Sequence, residues 1–334
     1  MQKKSNIKRK MKTQKKYYSK LDVFLSRIAS ILKVSTGNVM KAFTERAVTT
    51  IRLNNLSNEP ERTYEMLKDM GADLVAVPWA PNTYIVPNMD KTDLANTVMY
   101  KQGFFYIQNL ASMLPAIILD PKPDEIILDM CAAPGSKTTQ LAAMLRNKGK
   151  IIANDDDKFR GDKLKQMLHM FNVKNTDVRF GKGEAIGKRE ENHYDKILLD
   201  APCSGEGLIY LKGEKPLRFW NVKKVKGMAK VQKELIVSAF NALKKGGLMV
   251  YSTCTLEPDE DEAIVTYLLE KFDNARLEDI ELFRSENFKE DHGLVKRGLH
   301  EYNGQKFNES VGNTYRITPS SKMMGFYLAL IKKV

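Results

Sequence analysis

Ile126-Ile127-Leu128-Asp129-Met130-Cys131-Ala132-Ala133-Pro134-Gly135-Ser136-Lys137-Thr138 begins as an apolar run, stops at an acid and passes through small residues. Leu141, Met144 and Leu145 then recur at helical spacing, so the stretch predicts a buried strand, a tight turn and a helix. Small side chains and Gly135 let a ligand approach the backbone, and the first N–H groups of the following helix are free to bind it. The loop is not G-x-G-x-x-G, which disfavours a dinucleotide, and it lacks the first glycine and the Gly-Lys-Thr order of a P-loop. On these residues alone a tight turn without ligand stays open as the alternative.

Outward from this stretch, strand and helix alternate. Ile151–Ala153 is a second apolar strand, and Leu164, Met167, Leu168 and Phe171 mark a core-facing helical stripe. Lys196–Leu199 is another strand, Val231 to Leu243 an amphipathic helix stopped at Gly246-Gly247, and Leu248–Tyr251 a further strand. This order predicts a mainly parallel sheet with helices on both faces, in which ligands bind at the carboxyl ends of the strands. Upstream, Leu21, Phe24, Leu25, Ile28 and Leu32 keep helical spacing, Val48 to Leu53 is β-branched, and Leu74–Val77 and Tyr84–Val86 are short strands between prolines. A small α+β domain is therefore expected first, with its boundary near residues 95–105.

The chain has 334 residues, 43% hydrophobic content and a net charge of +13, enough for one sizeable α/β domain and a smaller one. Nine lysines and arginines precede the first acid, Asp22, so residues 1–20 form a basic tail that serves either solubility or nucleic-acid binding. The absence of a run of about 18 apolar residues and of a secretory signal predicts a soluble, intracellular protein without membrane contact. Cys131, Cys203 and Cys254 are far apart with no CxxC pairing, which argues for free thiols rather than a disulfide framework or a zinc site.

The chemistry should sit just after the strands. The second strand ends in Asn154-Asp155, where an acid in such folds accepts hydrogen bonds from ribose hydroxyls; Asp156 and Asp157 compete, and strand-end placement favours Asp155. The next two strand ends read Asp200-Ala201-Pro202-Cys203-Ser204-Gly205 and Tyr251-Ser252-Thr253-Cys254. A lone cysteine in a strand is usually inert packing, but two placed just beyond strand ends beside Pro202 and Thr253 point to chemistry. Between Lys212 and Lys226 lie Lys215, Arg218, Phe219, Trp220, Lys223 and Lys224, which read either as an RNA-stacking basic loop or as a solvated turn anchored by Trp220.

Taken together, Asp129–Thr138, Ala153–Asp155, Asp200–Gly205 and Tyr251–Cys254 resemble, in order, the motifs of the Sun/Nop-type RNA (cytosine-5) methyltransferase family. The likeness is dense from about Gln102 to Tyr267, including Gln108-Asn109-Leu110-Ala111-Ser112, and extends weakly to Ile51–Asn54 and to Arg316–Ala329. It implies a Rossmann-like class I methyltransferase core at residues 101–334, a small RNA-binding α+β domain at 21–100, and S-adenosylmethionine as methyl donor. Cys131, Ala132, Ala133, Pro134, Gly135, Ser136 and Lys137 would hold that donor together with Asp155 and Asp200. Cys254 would attack the base, Cys203 would assist proton removal or product release, Asp200 would bind the ring near nitrogen 3, and Lys137 would position Asp200 and the base. One departure is Lys182, standing where the family usually has an Asp; a lysine cannot accept from an adenine amino group.

Carbon 5 of cytosine is too electron-poor to take a methyl directly, so a thiolate must first add to carbon 6 and later leave, a task for sulfur rather than a serine alkoxide. The expected partner is tRNA or rRNA with an unpaired or flipped-out target, the expected state a monomer, and the expected place the cytoplasm, or the nucleolus if the source is eukaryotic. The competing readings are a methyltransferase acting on another atom, which needs no thiol, and a non-catalytic RNA-binding ribosome-assembly factor, which would not need Cys254.

Overall fold

A computed structural model describes residues 20–57, 59–213 and 216–334. The basic tail up to Lys16, and Lys215 of the basic stretch, lie outside the described residues. Residues 20–32 and Thr36–Thr44 are helical. A four-stranded antiparallel sheet follows, made of β1 (Thr49–Leu53), β2 (Val75–Ala76), β3 (Thr83–Val86) and β4 (Phe105–Ile107), in the order β2-β3-β1-β4. Ile51, Leu53, Val86 and Phe105 make its core with Leu67 and Leu94 from the helices between the strands.

The second sheet has nine strands. β5 (Ile126–Asp129), β6 (Lys150–Asp155), β7 (Thr176–Phe180), β8 (Tyr194–Asp200) and β9 (Leu243–Thr253) are parallel to their neighbours in the order β9-β8-β5-β6-β7. Beyond them β10 (Ala275–Glu278), β11 (Val295–Arg297), β14 (Tyr315–Ile317) and β15 (Phe326–Lys333) add an antiparallel flank through the β15–β9 pairing, while β12 (Glu301–Tyr302) and β13 (Gln305–Lys306) form a separate ribbon. Four strands of the parallel half are those the apolar runs predicted; β7, an edge strand of mixed polarity, is not among them. The flank closes the edge beside β9 that would otherwise leave its ladder groups unpaired.

Each face is covered by helices. The helix Val222–Ala242 packs Leu235, Ile236, Ala239 and Phe240 on one face, and Leu110–Leu119 with Ser136–Leu145 covers the other through Leu114, Leu141 and Leu145. The first of these helices begins nine residues before the expected Val231. Its opening turns are lysine-rich and carry little apolar signal, but Asn221 caps the start by accepting from the Lys224 N–H. At its other end the chain turns extended at Leu243, so the strand begins before the Gly246-Gly247 pair rather than after it.

Candidate active site

β8 and β9 run side by side with Asp200 opposite Ser252, so the three residues after the one and the two after the other are brought to one point. The Cys203 and Cys254 sulfurs lie 3.0 Å apart there. Both thiols are free and half-buried. The hydrogen bond to Cys254 first, and burial second, push the Cys203 thiol well above the ordinary range. Cys203 therefore keeps its proton, and a hydrogen bond joins the two sulfurs.

The Asp200 carboxylate is held from two sides. Ser252 Oγ donates to one oxygen at 2.8 Å, and Lys137 Nζ to the other at 2.6 Å. Lys137 also donates to Ser112 Oγ at 3.0 Å and stands 5.7 Å from the Phe326 ring centre. It sits in the first turn of the helix Ser136–Leu145, almost wholly buried. The arrangement aims a fixed carboxylate with its counter-cation into the space beside the two sulfurs.

That space is a cavity of about 520 Å³, whose lining includes Cys131, Ala133, Asp155, Asp156, Glu184 and Asp200. Gly135 begins the helix at φ 108°, a conformation that favours glycine, and a Cβ there would stand 2.8 Å from Leu164. Asp155, 2% exposed at the end of β6, accepts from the Ala133 N–H at 3.0 Å and from the Asp157 N–H at 3.1 Å. Its Oδ2 also pairs with Arg160 Nη2 at 3.5 Å, and Oδ1 keeps a lone pair for a hydroxyl. Burial pushes the Cys131 thiol well up, so it stays a neutral wall of the cavity. Lys182 is exposed and outside the cavity lining, whereas Glu184, two residues on, lines it. Carboxylates facing a sulfonium cation and ribose hydroxyls, a glycine turn and free helix N–H groups are the donor set S-adenosylmethionine requires.

Sequence reasoning missed three contributors. Arg160 donates from Nη2 to the Ala133 carbonyl at 2.8 Å and bends the loop over the cavity. Ser112 and Ser252 orient Lys137 and Asp200; both stood inside quoted motifs, but only the strand register shows which carboxylate Ser252 reaches. The basic stretch divides between its two aromatics. Trp220 is 3% exposed, donates from Nε1 to Glu206 and packs edge-on at 5.1 Å against Phe24, so it anchors the chain and presents no stacking face. Phe219, by contrast, is 72% exposed with the Arg218 guanidinium 4.9 Å from its ring centre.

Residues 116–332 match the family described as 16S rRNA methyltransferase RsmB/F, and residues 22–110 match the N-terminal domain of 16S rRNA methyltransferase RsmF. A tRNA (cytosine(49)-C(5))-methyltransferase of Pyrococcus abyssi is 38% identical over 285 residues, 85% of this chain and 88% of that protein. A ribosomal RNA small subunit methyltransferase F of Aeromonas salmonicida is 38% identical over 261 residues, 76% of this chain but only 55% of that longer protein. Among solved structures, a methyltransferase homologue from Pyrococcus horikoshii superposes with a TM-score of 0.74 at 31% identity, covering 88% of this chain and 89% of that one.

Proposed function

Since the chain belongs to the 16S rRNA methyltransferase RsmB/F family, with S-adenosylmethionine as its methyl donor, we propose that it methylates carbon 5 of an unpaired cytosine in tRNA or rRNA through a covalent bond to Cys254. The observation that carries the reading is the pair of sulfurs 3.0 Å apart beside the Asp200–Lys137 pair. Methylation of an exocyclic amine has no use for either thiol.

The chain's own groups divide the work. Cys254, hydrogen-bonded by the protonated Cys203, adds to carbon 6 of the base. Asp200, fixed by Ser252 and Lys137, binds the ring near nitrogen 3 through a proton shared between carboxylate and ring, and that proton favours the electron shift that makes carbon 5 nucleophilic. Residues 131–137 would hold S-adenosylmethionine, with Asp155 on its ribose, and the bound donor would supply an electrophilic methyl group. The hydrogen bond to Cys254 is the largest cause of the raised Cys203 thiol, and it is lost once the Cys254 sulfur is bonded to carbon. Cys203 then releases its proton to solvent more readily, and the resulting thiolate takes the proton from carbon 5, after which the carbon 5–carbon 6 double bond re-forms and Cys254 leaves as thiolate.

Among the described residues no helix is long and apolar enough to cross a membrane, and the same reading makes the protein a cytoplasmic monomer. Sequencing of 5-methylcytosine in RNA from cells with and without the protein tests the function and names the target. RNA identical at every cytosine in the two samples would overturn it.

A further inference from the structure

A second cavity of about 300 Å³, at the lower end of the range of small-ligand sites, opens beside the catalytic one. The Gly207 N–H donates to the Cys254 carbonyl at 2.9 Å, and Gly207 lines this second cavity, so its wall is bonded to the nucleophile's own backbone. Leu208, 61% exposed, lines both cavities and forms the ridge between them. The far walls come from the N-terminal region, with Arg46 and Lys91, and from the segment before β15.

Three features of the walls suit a nucleotide. Arg46 and Lys91 are exposed; Glu45 and Asp90 line the same cavity, but among the described residues neither cation forms an ion pair with them, which leaves both free to meet phosphates. Tyr210, two residues beyond the ridge, is 37% exposed and lines the cavity; its loop is pinned to the N-terminal helices by the Leu211 N–H, which donates to the Phe43 carbonyl at 2.8 Å. A ring on a pinned loop is a platform on which a base can stack. Asn109, on the cavity wall, accepts with Oδ1 from the N–H groups of Ala111 at 3.0 Å and Met324 at 3.3 Å. Both partners are donors, which fixes the amide's orientation, and among the described residues nothing accepts from its Nδ2.

We infer that this cavity takes the nucleotide next to the target cytosine, its base stacked on Tyr210 and its acceptor edge on the Asn109 amide, with Arg46 and Lys91 on the flanking phosphates. The inference rests on the reading of the neighbouring cavity as the cytosine site. It adds a sequence preference to it: the enzyme reads a base it does not modify. The placement follows from the ridge, since Leu208 lines both cavities and a strand with its cytosine in one can lay its next nucleotide in the other.

The test uses the full chain and a synthetic RNA spanning the cytosine that the sequencing identifies, made intact or with an abasic residue on one side of that cytosine or the other. Base removal at one of the two positions should lower kcat/KM on the order of tenfold, as loss of one stacked base does. Tyr210→Ala should lose the same factor on intact RNA and nothing further on that abasic RNA, Tyr210→Phe should retain activity, and Asn109→Asp, which keeps the accepting oxygen but loses the donors, should lower kcat/KM on intact RNA only. A wild-type enzyme indifferent to base removal on both sides, or a Tyr210→Ala defect equally large on intact and abasic RNA, overturns the subsite. Failure of the wild-type protein to methylate carbon 5 of any cytosine overturns instead the reading beneath it.

Discussion

Glu260→Gln should leave the protein's stability unchanged in acid and raise it progressively as the pH climbs. Glu206 and Glu260 are both fully buried, and the Ser204 hydroxyl touches a carboxyl oxygen of each. One hydroxyl proton cannot serve two carboxylates. Glu206 accepts from Trp220 Nε1 and Thr255 Oγ1 as well, while Glu260 Oε2 accepts from the Ser204 N–H at 3.0 Å and Gln232 Nε2 at 2.8 Å, leaving Oε1 facing Ser204. The network closes if Glu260 carries a proton on Oε1 and donates it to Ser204 Oγ, which donates to Glu206. Burial first, and the Glu206 charge with it, push Glu260 from 4.5 up to about 8. A raised carboxyl holds its full contribution below about 4.5 and loses it as the pH rises toward about 8, at roughly 1.4 kcal/mol per pH unit and on the order of 5 kcal/mol in all. A glutamine amide donates to Ser204 and accepts from Ser204 N–H and Gln232 without titrating. Urea unfolding of both proteins from pH 5 to pH 9 should therefore show a gap that opens across that window, cancelling every other titrating group they share. A gap that stays constant with pH would refute the shared-proton argument. Glu260→Ala should be destabilised throughout, by about 1–3 kcal/mol for each donor left without a partner.

Four further outcomes are expected. Cys254→Ala should abolish methyl transfer while cofactor affinity measured by calorimetry stays near wild type, and near-normal turnover would exclude it as nucleophile. Cys203→Ala should accumulate a protein–RNA adduct that survives denaturing electrophoresis and is absent from the double variant; an adduct that accumulates in Cys254→Ala instead would reverse the two roles, and one that persists in the double variant would exclude both thiols. Asp155→Asn keeps an acceptor for the Ala133 N–H but weakens the ribose bond, so calorimetry should show S-adenosylmethionine affinity down by about tenfold or more, whereas an unchanged affinity removes Asp155 from that role. Deleting residues 2–19 should flatten the salt dependence of RNA affinity by roughly 0.7 in logarithmic slope for each phosphate the tail neutralises, and an identical slope would make the tail a bystander.

Four of the five parallel strands were readable because a strand buried on both faces is an unbroken apolar run, as Ile126–Leu128 and Ile151–Ala153 are, whereas the edge strand Thr176–Phe180 is largely exposed and has no such run to read. Phe326–Lys333 is also such a run, yet its place beside β9, antiparallel and with Tyr327 opposite Thr253, depends on a pairing no local pattern encodes. Trp220 fails in the same way. Its surroundings are basic and polar in sequence, and its partner Phe24 lies in a helix nearly two hundred residues earlier. The start of the helix Val222–Ala242 was hidden for the opposite reason: a solvated, lysine-rich turn carries no apolar period whether or not it is helical.

The cysteines show where sequence reasoning stops and geometry begins. Their distance from the strand ends was visible, but their convergence needs β8 and β9 to be neighbours in the register that sets Asp200 against Ser252. Register alone brings two loops near each other; it does not hold two sulfurs at 3.0 Å. The residue after each cysteine does that, since Ser204 and Thr255 share a contact of 3.1 Å and both donate to Glu206. Glu206 is in turn fixed by Trp220, which the N-terminal helices bury. The first helices therefore reach the reacting thiols through four buried side chains, Phe24, Trp220, Glu206 and Ser204, and Phe24→Ala should loosen the thiol pair as well as the helix. Slower alkylation of Cys203 than of Cys254 by iodoacetamide is the signature of the proton held on Cys203, and Phe24→Ala should narrow that difference. If the two rates keep their ratio while the variant loses stability, the N-terminal helices support the fold alone and the thiol geometry is set by the strands.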